Sequence, residues 1–473
     1  MKMKHSKPVG LVAALALGYL FAPGFALAQG GGGGGDDRGR IAHEFYIRVT
    51  PETNIADLIA DLEAEYPGVV VVRRDDVRHL FVVRFPAEVD GVPIDDDVAE
   101  LEFVNDPRVI DVDYHREFST PIPVTQSFFL REQEPAFDGQ EQSLPLGLVP
   151  AHLIAQGAGV TVAVIDTGVW PHPRLASVLL PGYNLMTGQP GAVDDGVGDR
   201  VGHGTLVAGL VHLVAPQAMI LPLKVMGGDG MGTSFDIEQG IYRAIDARVD
   251  VINLSLTIAE TDVGIERALS AAATAGIVVV AAMGNGGDPE PRDYPAIDPT
   301  VIAVAAVTNA GALASFTNWG EAVALCAPGV SLVGPFSGAV APMEAGPFLR
   351  TDGTSLSSPL VAGAAALIRS RAHGASPARV RTLLRSTATN IAAMNPGAAG
   401  GYGAGMLNVG AVMAGTCASD FDASGSVDPD DLADFISAYF IASPAADADG
   451  SGTVDPDDLA DFISRYFSAD PCG

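Results

Sequence analysis

Hydrophobic residues recur at two different periods along this chain, and the places where the period changes divide it. Alternation through His43-Glu44-Phe45-Tyr46-Ile47-Arg48-Val49 predicts a strand, whereas Ile55, Leu58, Ile59 and Leu62 stand at helical spacing within Ile55 to Tyr66. Val69 to Val72 and His79 to Phe85 predict strands, Asp95 to Val104 a second helix, and Val109 to Tyr114 a last strand. That β-α-β-β-α-β order describes a small ferredoxin-like α+β module over residues 41–118. Both periods are lost over residues 119–143, which are rich in Pro, Gln and Glu and read as a linker that few contacts cross.

From Leu144 to Met413 the pattern is different. Val160 to Ile165, Met219 to Val225, Val249 to Leu254, Ile277 to Ala282 and Val301 to Val307 are apolar runs of strand length. Between or beyond them come helical stretches at Leu206 to Val214, Phe235 to Ala247, Val263 to Ala275 and Leu360 to Ile368. Strands without polar alternation, separated by helices, predict an α/β fold with a mostly parallel sheet covered by helices on both faces. The last stretch, residues 417–473, contains two near-copies, Asp420 to Phe440 and Asp447 to Phe467, 27 residues apart.

Composition adds compartment and excludes some partners. Lys2, Lys4 and Lys7, the apolar run Val9 to Phe25 and Ala26-Leu27-Ala28 read as a signal peptide over residues 1–28, so the mature protein is expected to be secreted or extracytoplasmic. Residues 29–40 form a Gly-rich spacer, and no later apolar run is long enough to span a bilayer. A net charge of −30 argues against nucleic acid or anionic membrane as a partner. That acidity is uneven, since Cys417 to Gly473 holds 13 Asp against one Arg. Of three cysteines, Cys326 sits in an apolar run and reads as a buried, inert thiol. Cys417 and Cys472 bracket the acidic tail and form a candidate disulfide in an oxidising compartment.

Three glycine-flanked turns carry the candidate chemistry. Thr351-Asp352-Gly353-Thr354-Ser355-Leu356-Ser357-Ser358-Pro359 leads into a helix with Pro expected in its first turn, where a missing N–H costs least. A hydroxyl there faces unpaired N–H groups, a setting for a nucleophile that becomes an anionic adduct, although Ser and Thr are also ordinary helix caps. Asp166 ends the strand run Val160 to Ile165, where chemistry gathers in open α/β sheets, and His203 lies between Gly202 and Gly204 at a helix start. Asn285, between Gly284 and Gly286, is either a turn residue or an amide aimed at a reacting oxygen.

The order Asp166, His203, Ser355 resembles the subtilisin-like serine proteases. The resemblance is carried by Val164-Ile165-Asp166-Thr167-Gly168, Gly202-His203-Gly204-Thr205, Asn253-Leu254-Ser255-Leu256, Gly284-Asn285 and Gly353-Thr354-Ser355. It implies an endopeptidase in which Ser355 is the nucleophile, His203 its base, Asp166 the group orienting the imidazole and Asn285 a donor to the oxyanion. It also implies that substrate backbone pairs with Ser255-Leu256-Thr257, and that Met283-Gly284 borders the primary specificity pocket. Family members usually carry Gly at the position of Thr257 and Ala at that of Met283, which leaves the shape of that pocket open; an apolar or mixed pocket is expected. The 41–118 module resembles the inhibitory propeptide of these enzymes, which implies a zymogen. A second reading is a subtilase fold with weak catalysis that serves as a binding scaffold.

In the tail, Asp420, Asp422, Ser424, Ser426, Asp428 and Asp431 occupy positions 1, 3, 5, 7, 9 and 12 of a calcium loop, with Gly425 at the sharp turn. Asp447, Asp449, Ser451, Thr453, Asp455 and Asp458 repeat the pattern, with Gly452 at the turn. Oxygen ligands without His or Cys favour a hard cation, here Ca2+. Each loop precedes a helix (Pro429 to Phe440, Pro456 to Phe467) with no entering helix, an arrangement that resembles a dockerin module. That resemblance implies a cohesin-like docking partner, beside protein or peptide substrates, for a chain expected to be monomeric.

Overall fold

The computed structural model describes residues 39–119, 128–130, 134–195, 198–258, 260–291, 293–337, 348–372, 374–416, 419–421, 426–443, 446, 448 and 453–468. The strand Thr161–Asp166 lies near the middle of an eight-stranded sheet whose strands, in spatial order, begin at Gln189, Tyr183, Met219, Thr161, Val251, Val278, Ile302 and Leu325. All neighbours are parallel except the edge hairpin of Tyr183–Asn184 with Gln189–Pro190. The chain adds strands on one side of Thr161–Asp166 and then crosses to the other. The order therefore reverses beside this strand, and a crevice opens at its carboxyl end.

Why the strand runs are unbroken is visible in the two layers that cover them. Val162, Val164, Val278, Val280, Ile302 and Val304 pack with the helices His203–Val214 and Thr354–Arg371. Ala163, Ile165, Ile252, Leu254, Val279 and Ala281 pack on the opposite side with the helices Ser234–Asp246 and Val263–Thr274. Successive residues point to opposite faces, so both must be apolar, and each buried Val or Ile contributes roughly 1.5–3 kcal/mol. Gly363 lets the two helices of the first layer touch: an added Cβ would lie 2.7 Å from the Val214 side chain and 3.1 Å from the Val211 carbonyl.

Upstream, the strands Arg40–Val49, Val70–Asp75, Leu80–Arg84 and Val109–Ser119 form an antiparallel sheet with Arg40–Val49 between Val109–Ser119 and Leu80–Arg84. Phe45, Ile47, Phe81 and Val83 pack under the helices Ile55–Glu63 and Asp96–Val104, while Tyr46, Leu80 and Val82 join the second layer beside Phe235 and Ile241. The sheet continues across the molecule, because Glu117, Phe118 and Ser119 pair antiparallel with Thr233, Gly232 and Met231. Gly232 is needed there, since a Cβ would lie 2.6 Å from the Phe118 ring.

Residues 119–143, read from composition as a linker that few contacts cross, are partly built into the α/β unit. Phe128–Leu130 pairs with Phe348–Arg350, and the Phe137 side chain is buried in the first core layer. The Gln140 side-chain amide donates to the Val333 carbonyl (2.7 Å) and accepts the Val333 N–H (2.8 Å), replacing a strand partner. Polar composition does not register one buried Phe and one amide bonded twice to backbone. The signal-peptide reading of residues 1–28 falls outside the described residues, as does residues 29–38 of the spacer. Among the described residues no helix is long and apolar enough to cross a membrane. Cys326 is buried, its thiol on the Tyr402 carbonyl and pushed up to about 12 by burial.

Candidate active site

Asp166 is the last residue of its strand and is fully buried. Its Oδ1 accepts the Thr167 N–H at 2.7 Å and the Nδ1–H of His203 at 2.8 Å. A carboxylate only accepts, so this bond puts the imidazole proton on Nδ1 and makes Nε2 the acceptor. The approach depends on glycine at two places. Gly202 caps the His203 helix at φ 96°, and a Cβ there would lie 2.3 Å from the Phe336 ring. A Cβ on Gly204 would lie 2.2 Å from the Gly168 carbonyl and 3.1 Å from the Asp166 side chain. Burial pushes the His203 imidazole down, but the Asp166 charge and hydrogen bond, with the Asp194 charge, outweigh it and hold the group above its ordinary value.

Asp194 was not singled out by any sequence pattern. It is fully buried, accepts the Gly202 N–H (2.9 Å) on Oδ1, and accepts the Thr205 N–H (3.1 Å) and hydroxyl (2.7 Å) on Oδ2. It thus satisfies the N–H groups at the start of the helix that carries His203, the role an N-cap side chain would play if residue 202 were not Gly. Burial pushes its carboxyl up to about 6, against those hydrogen bonds and with the Asp166 charge adding to the rise.

Ser355 is the second residue of Thr354–Arg371. Pro359, expected in the first turn, is the sixth residue of that helix, inside it. A Pro there has no N–H to give to the carbonyl four residues back, which is that of Ser355. The Ser255 hydroxyl fills the gap, donating to the Ser355 carbonyl at 2.8 Å. Ser255 Oγ in turn accepts from Asn253 Nδ2 (2.9 Å), and because its own proton is used, the 3.0 Å contact with the Ser358 hydroxyl runs from Ser358. The side chain of Ser255, predicted at the substrate strand, is therefore committed to holding the Ser355 helix. Among the described residues Ser355 Oγ makes no hydrogen bond to His203, so the structure joins the first pair of the predicted three and not the second.

Asn285 is half-exposed, and its Oδ1 accepts both the Thr354 N–H and the Thr354 hydroxyl, each at 2.9 Å. Two donors fix the oxygen end of the amide, so its NH2 end faces away from Thr354. The loop carrying Asn285 is tied by Asn318, which no sequence signal indicated. Asn318 donates to the Met283 carbonyl (3.1 Å) and to Asp293 Oδ2 (2.6 Å), and its Oδ1 accepts the N–H groups of Gly286 and Asp288, both at 2.9 Å. Gly284, at φ 98°, has no room for a Cβ, which would lie 2.5 Å from Asn318 Nδ2. Leu256, Thr257 and Met283 are buried; Ser255–Thr257 follow the last ladder residue Leu254, and Ile258 bridges Tyr294.

In the tail, the helices Pro429–Phe440 and Pro456–Tyr466 stack through Phe435 and Phe462, ring centroids 3.9 Å apart, with Phe421 edge-on to both. Each helix starts in a capping box: Asp428 N–H donates to Asp431 Oδ2 (2.8 Å) and Asp455 N–H to Asp458 Oδ2 (2.7 Å). Asp420, Asp431 and Asp458 are buried, and carboxylates of this kind suit a hard cation rather than a softer metal. Among the described residues no group of three or more acidic, His or Cys side chains is gathered as a metal site. Asp422, Ser424, Asp447, Asp449 and Ser451, and both Cys417 and Cys472, lie outside the described residues.

Comparison with known proteins bears on the middle of the chain. The model of the Subtilase family matches residues 157–405. Subtilisin BL of Lederbergia lenta is 34% identical over 282 residues, 56% of this chain and 97% of that protein. An alkaline protease of Alkalihalobacillus alcalophilus is 29% identical over 378 residues, 77% of this chain and 90% of that protein. The crystal structure of fervidolysin from Fervidobacterium pennivorans, 21% identical, covers 81% of this chain and 62% of that one with a TM-score of 0.65, a likeness of fold. The motif order, the Asp166–His203 bond and these matches agree: the chain belongs to the subtilase family and is a subtilisin-type serine endopeptidase.

Proposed function

We propose that Asp166, His203 and Ser355 form the catalytic triad of this endopeptidase and that Asn285 donates to its oxyanion. The observation that carries the reading is the 2.8 Å bond from His203 Nδ1 to Asp166, which leaves Nε2 as the base. Ser355 Oγ attacks the scissile carbonyl carbon while Nε2 takes the hydroxyl proton. The carbonyl oxygen becomes an oxyanion, held by the Asn285 amide and the Ser355 N–H at the positive end of its helix. The tetrahedral carbon then expels the amine, which takes the proton from the imidazolium, and an acyl-enzyme remains. Water repeats the cycle, losing a proton to Nε2 and releasing the acid. A Ser355–His203 bond that closes only around substrate is ordinary for such sites. Treating the secreted protein with a fluorophosphonate tests the assignment: labelling of wild type and none of Ser355→Ala is expected, and an unlabelled wild type would favour the scaffold reading.

The N-terminal module acts as an inhibitory propeptide in the same proposal. Its last strand already occupies an edge of the α/β unit through Glu117–Ser119, as a β-augmenting peptide would. The alkaline protease alignment spans 77% of the chain, more than everything from Leu144 onward, so the similarity reaches upstream of the α/β unit. Export follows from the N-terminal basic, apolar and A-x-A segments. The tail is a Ca2+-binding, dockerin-like tether, in which Asp420, Asp422, Ser424, Ser426, Asp428 and Asp431, with their counterparts in the second loop, would hold the ion. Bound Ca2+ would neutralise carboxylates that are otherwise packed together. A circular dichroism spectrum identical in Ca2+ and in EDTA would refute that part.

A further inference from the structure

We infer that this protease selects a basic residue, Lys or Arg, on the acyl side of the bond it cuts, with Asp293 as the residue that reads it. The inference rests on the proposed catalytic assignment, which places the scissile carbonyl between Ser355 and Asn285 and the substrate backbone along Ser255–Thr257. A side chain leaving that backbone enters between Thr257 and the Met283-Gly284 segment. Asp293 lies against that segment. Ile258, the residue after Thr257, exchanges backbone hydrogen bonds with Tyr294 (2.7 and 2.9 Å), which brings the Thr257 and Asp293 side chains near each other. On the other wall, a Cβ built on Gly284 would lie 3.1 Å from Asp293 Cγ and 3.3 Å from Oδ1.

The carboxyl is half-buried, so it is neither sealed in the core nor washed by bulk water. The neutral Asn318 amide donates to it at 2.6 Å, with the Thr257 side chain nearby, which leaves lone pairs on a group that can accept about four hydrogen bonds. Among the described residues no Lys, Arg or His forms an ion pair with it. Burial and the charge of Asp288, which is exposed nearby, push the carboxyl up, the direction opposite to the effect of a resident cation. A part-exposed carboxylate oriented by a neutral amide, with a second negative charge nearby, is complementary to an ammonium or guanidinium on a long aliphatic stem. Asp293 adds an anionic group to the apolar or mixed pocket expected from the sequence.

The test uses the matured wild-type protein and internally quenched peptides that differ only at the acyl-side residue: Arg, Lys, Phe or Glu. The expected kcat/KM for Arg and Lys exceeds that for Phe by about 30-fold or more, as for a buried charge pair made or left unmade, with Glu poorest. Asp293→Asn should bring the Arg-to-Phe ratio down by a similar factor. Benzamidine, a cationic mimic of the arginine side chain, should inhibit wild type competitively, a readout that needs no variant to fold. Preference for Phe over Arg, or indifference to benzamidine, overturns the inference and leaves the protease assignment standing. Failure to cleave any of the four peptides, together with no fluorophosphonate labelling, overturns both.

Discussion

At the scale of single residues, the site depends on which atom of each polar side chain is already spoken for. Asp166 sets the His203 tautomer, and Thr354 sets the Asn285 amide. Asn285→Ala is therefore expected to lower kcat by about 10²–10³-fold with KM little changed, since the oxyanion exists only along the reaction path. A parallel loss in KM would show that Asn285 mainly binds ground-state substrate. Because His203 is raised above its ordinary value and must be neutral to accept the Ser355 proton, the acid limb of kcat/KM should have its midpoint above about pH 6.5, with activity rising as pH rises through it. A midpoint below that value contradicts the arrangement. Asp166, His203, Asn285 and Ser355 were legible because each sits in a short run that glycine punctuates. Asp194, Asn318 and Asp293 were not, because they act across loops with no period, on partners 8 to 35 residues away.

At the scale of elements, the helix Thr354–Arg371 shows how one substitution inside a regular structure is answered from another strand. Pro359 removes a hydrogen bond from the Ser355 carbonyl, and Ser255 restores it from the end of Val251–Leu254. Ser255→Ala should then cost about 1–3 kcal/mol, the penalty of a buried carbonyl left unsatisfied. Adding Pro359→Ala, which returns the helical N–H, should recover part of it, and denaturant melts of the two singles and the double decide. Strict additivity would mean that the two residues do not share this carbonyl. The apolar runs forecast these strands well, because burial on both faces leaves no polar position to confuse the period. Pro359 was misplaced into the first turn because the helix begins at Thr354, several residues before its apolar run, and the segment 119–143 was misread because its composition is polar while its few anchoring contacts are not.

At the scale of the whole molecule, the N-terminal sheet lies on the α/β unit over a buried carboxyl. Glu238 accepts a 2.8 Å hydrogen bond from Tyr46 of the N-terminal sheet. Burial pushes Glu238 up to about 8; Tyr46 and Arg267 oppose the rise, and Asp262 and Asp111 add to it. A carboxyl raised on folding binds more protons in the folded than in the unfolded state, so its contribution is fully present below about pH 4.5 and is lost as pH rises through about 8. In the Ser355→Ala chain, which would keep the module attached, the melting temperature should fall by several degrees across that window, and Glu238→Gln should flatten the slope. An unchanged slope would place the titration elsewhere. The central claim is that three distant segments converge to act as one chemical unit, and the most direct measurement is kcat for Ser355→Ala, His203→Ala and the double variant. The account predicts that each single loses roughly 10⁴–10⁶-fold and that the double loses little more than either. Losses that multiply in the double variant would mean that Ser355 and His203 act independently, and would contradict it.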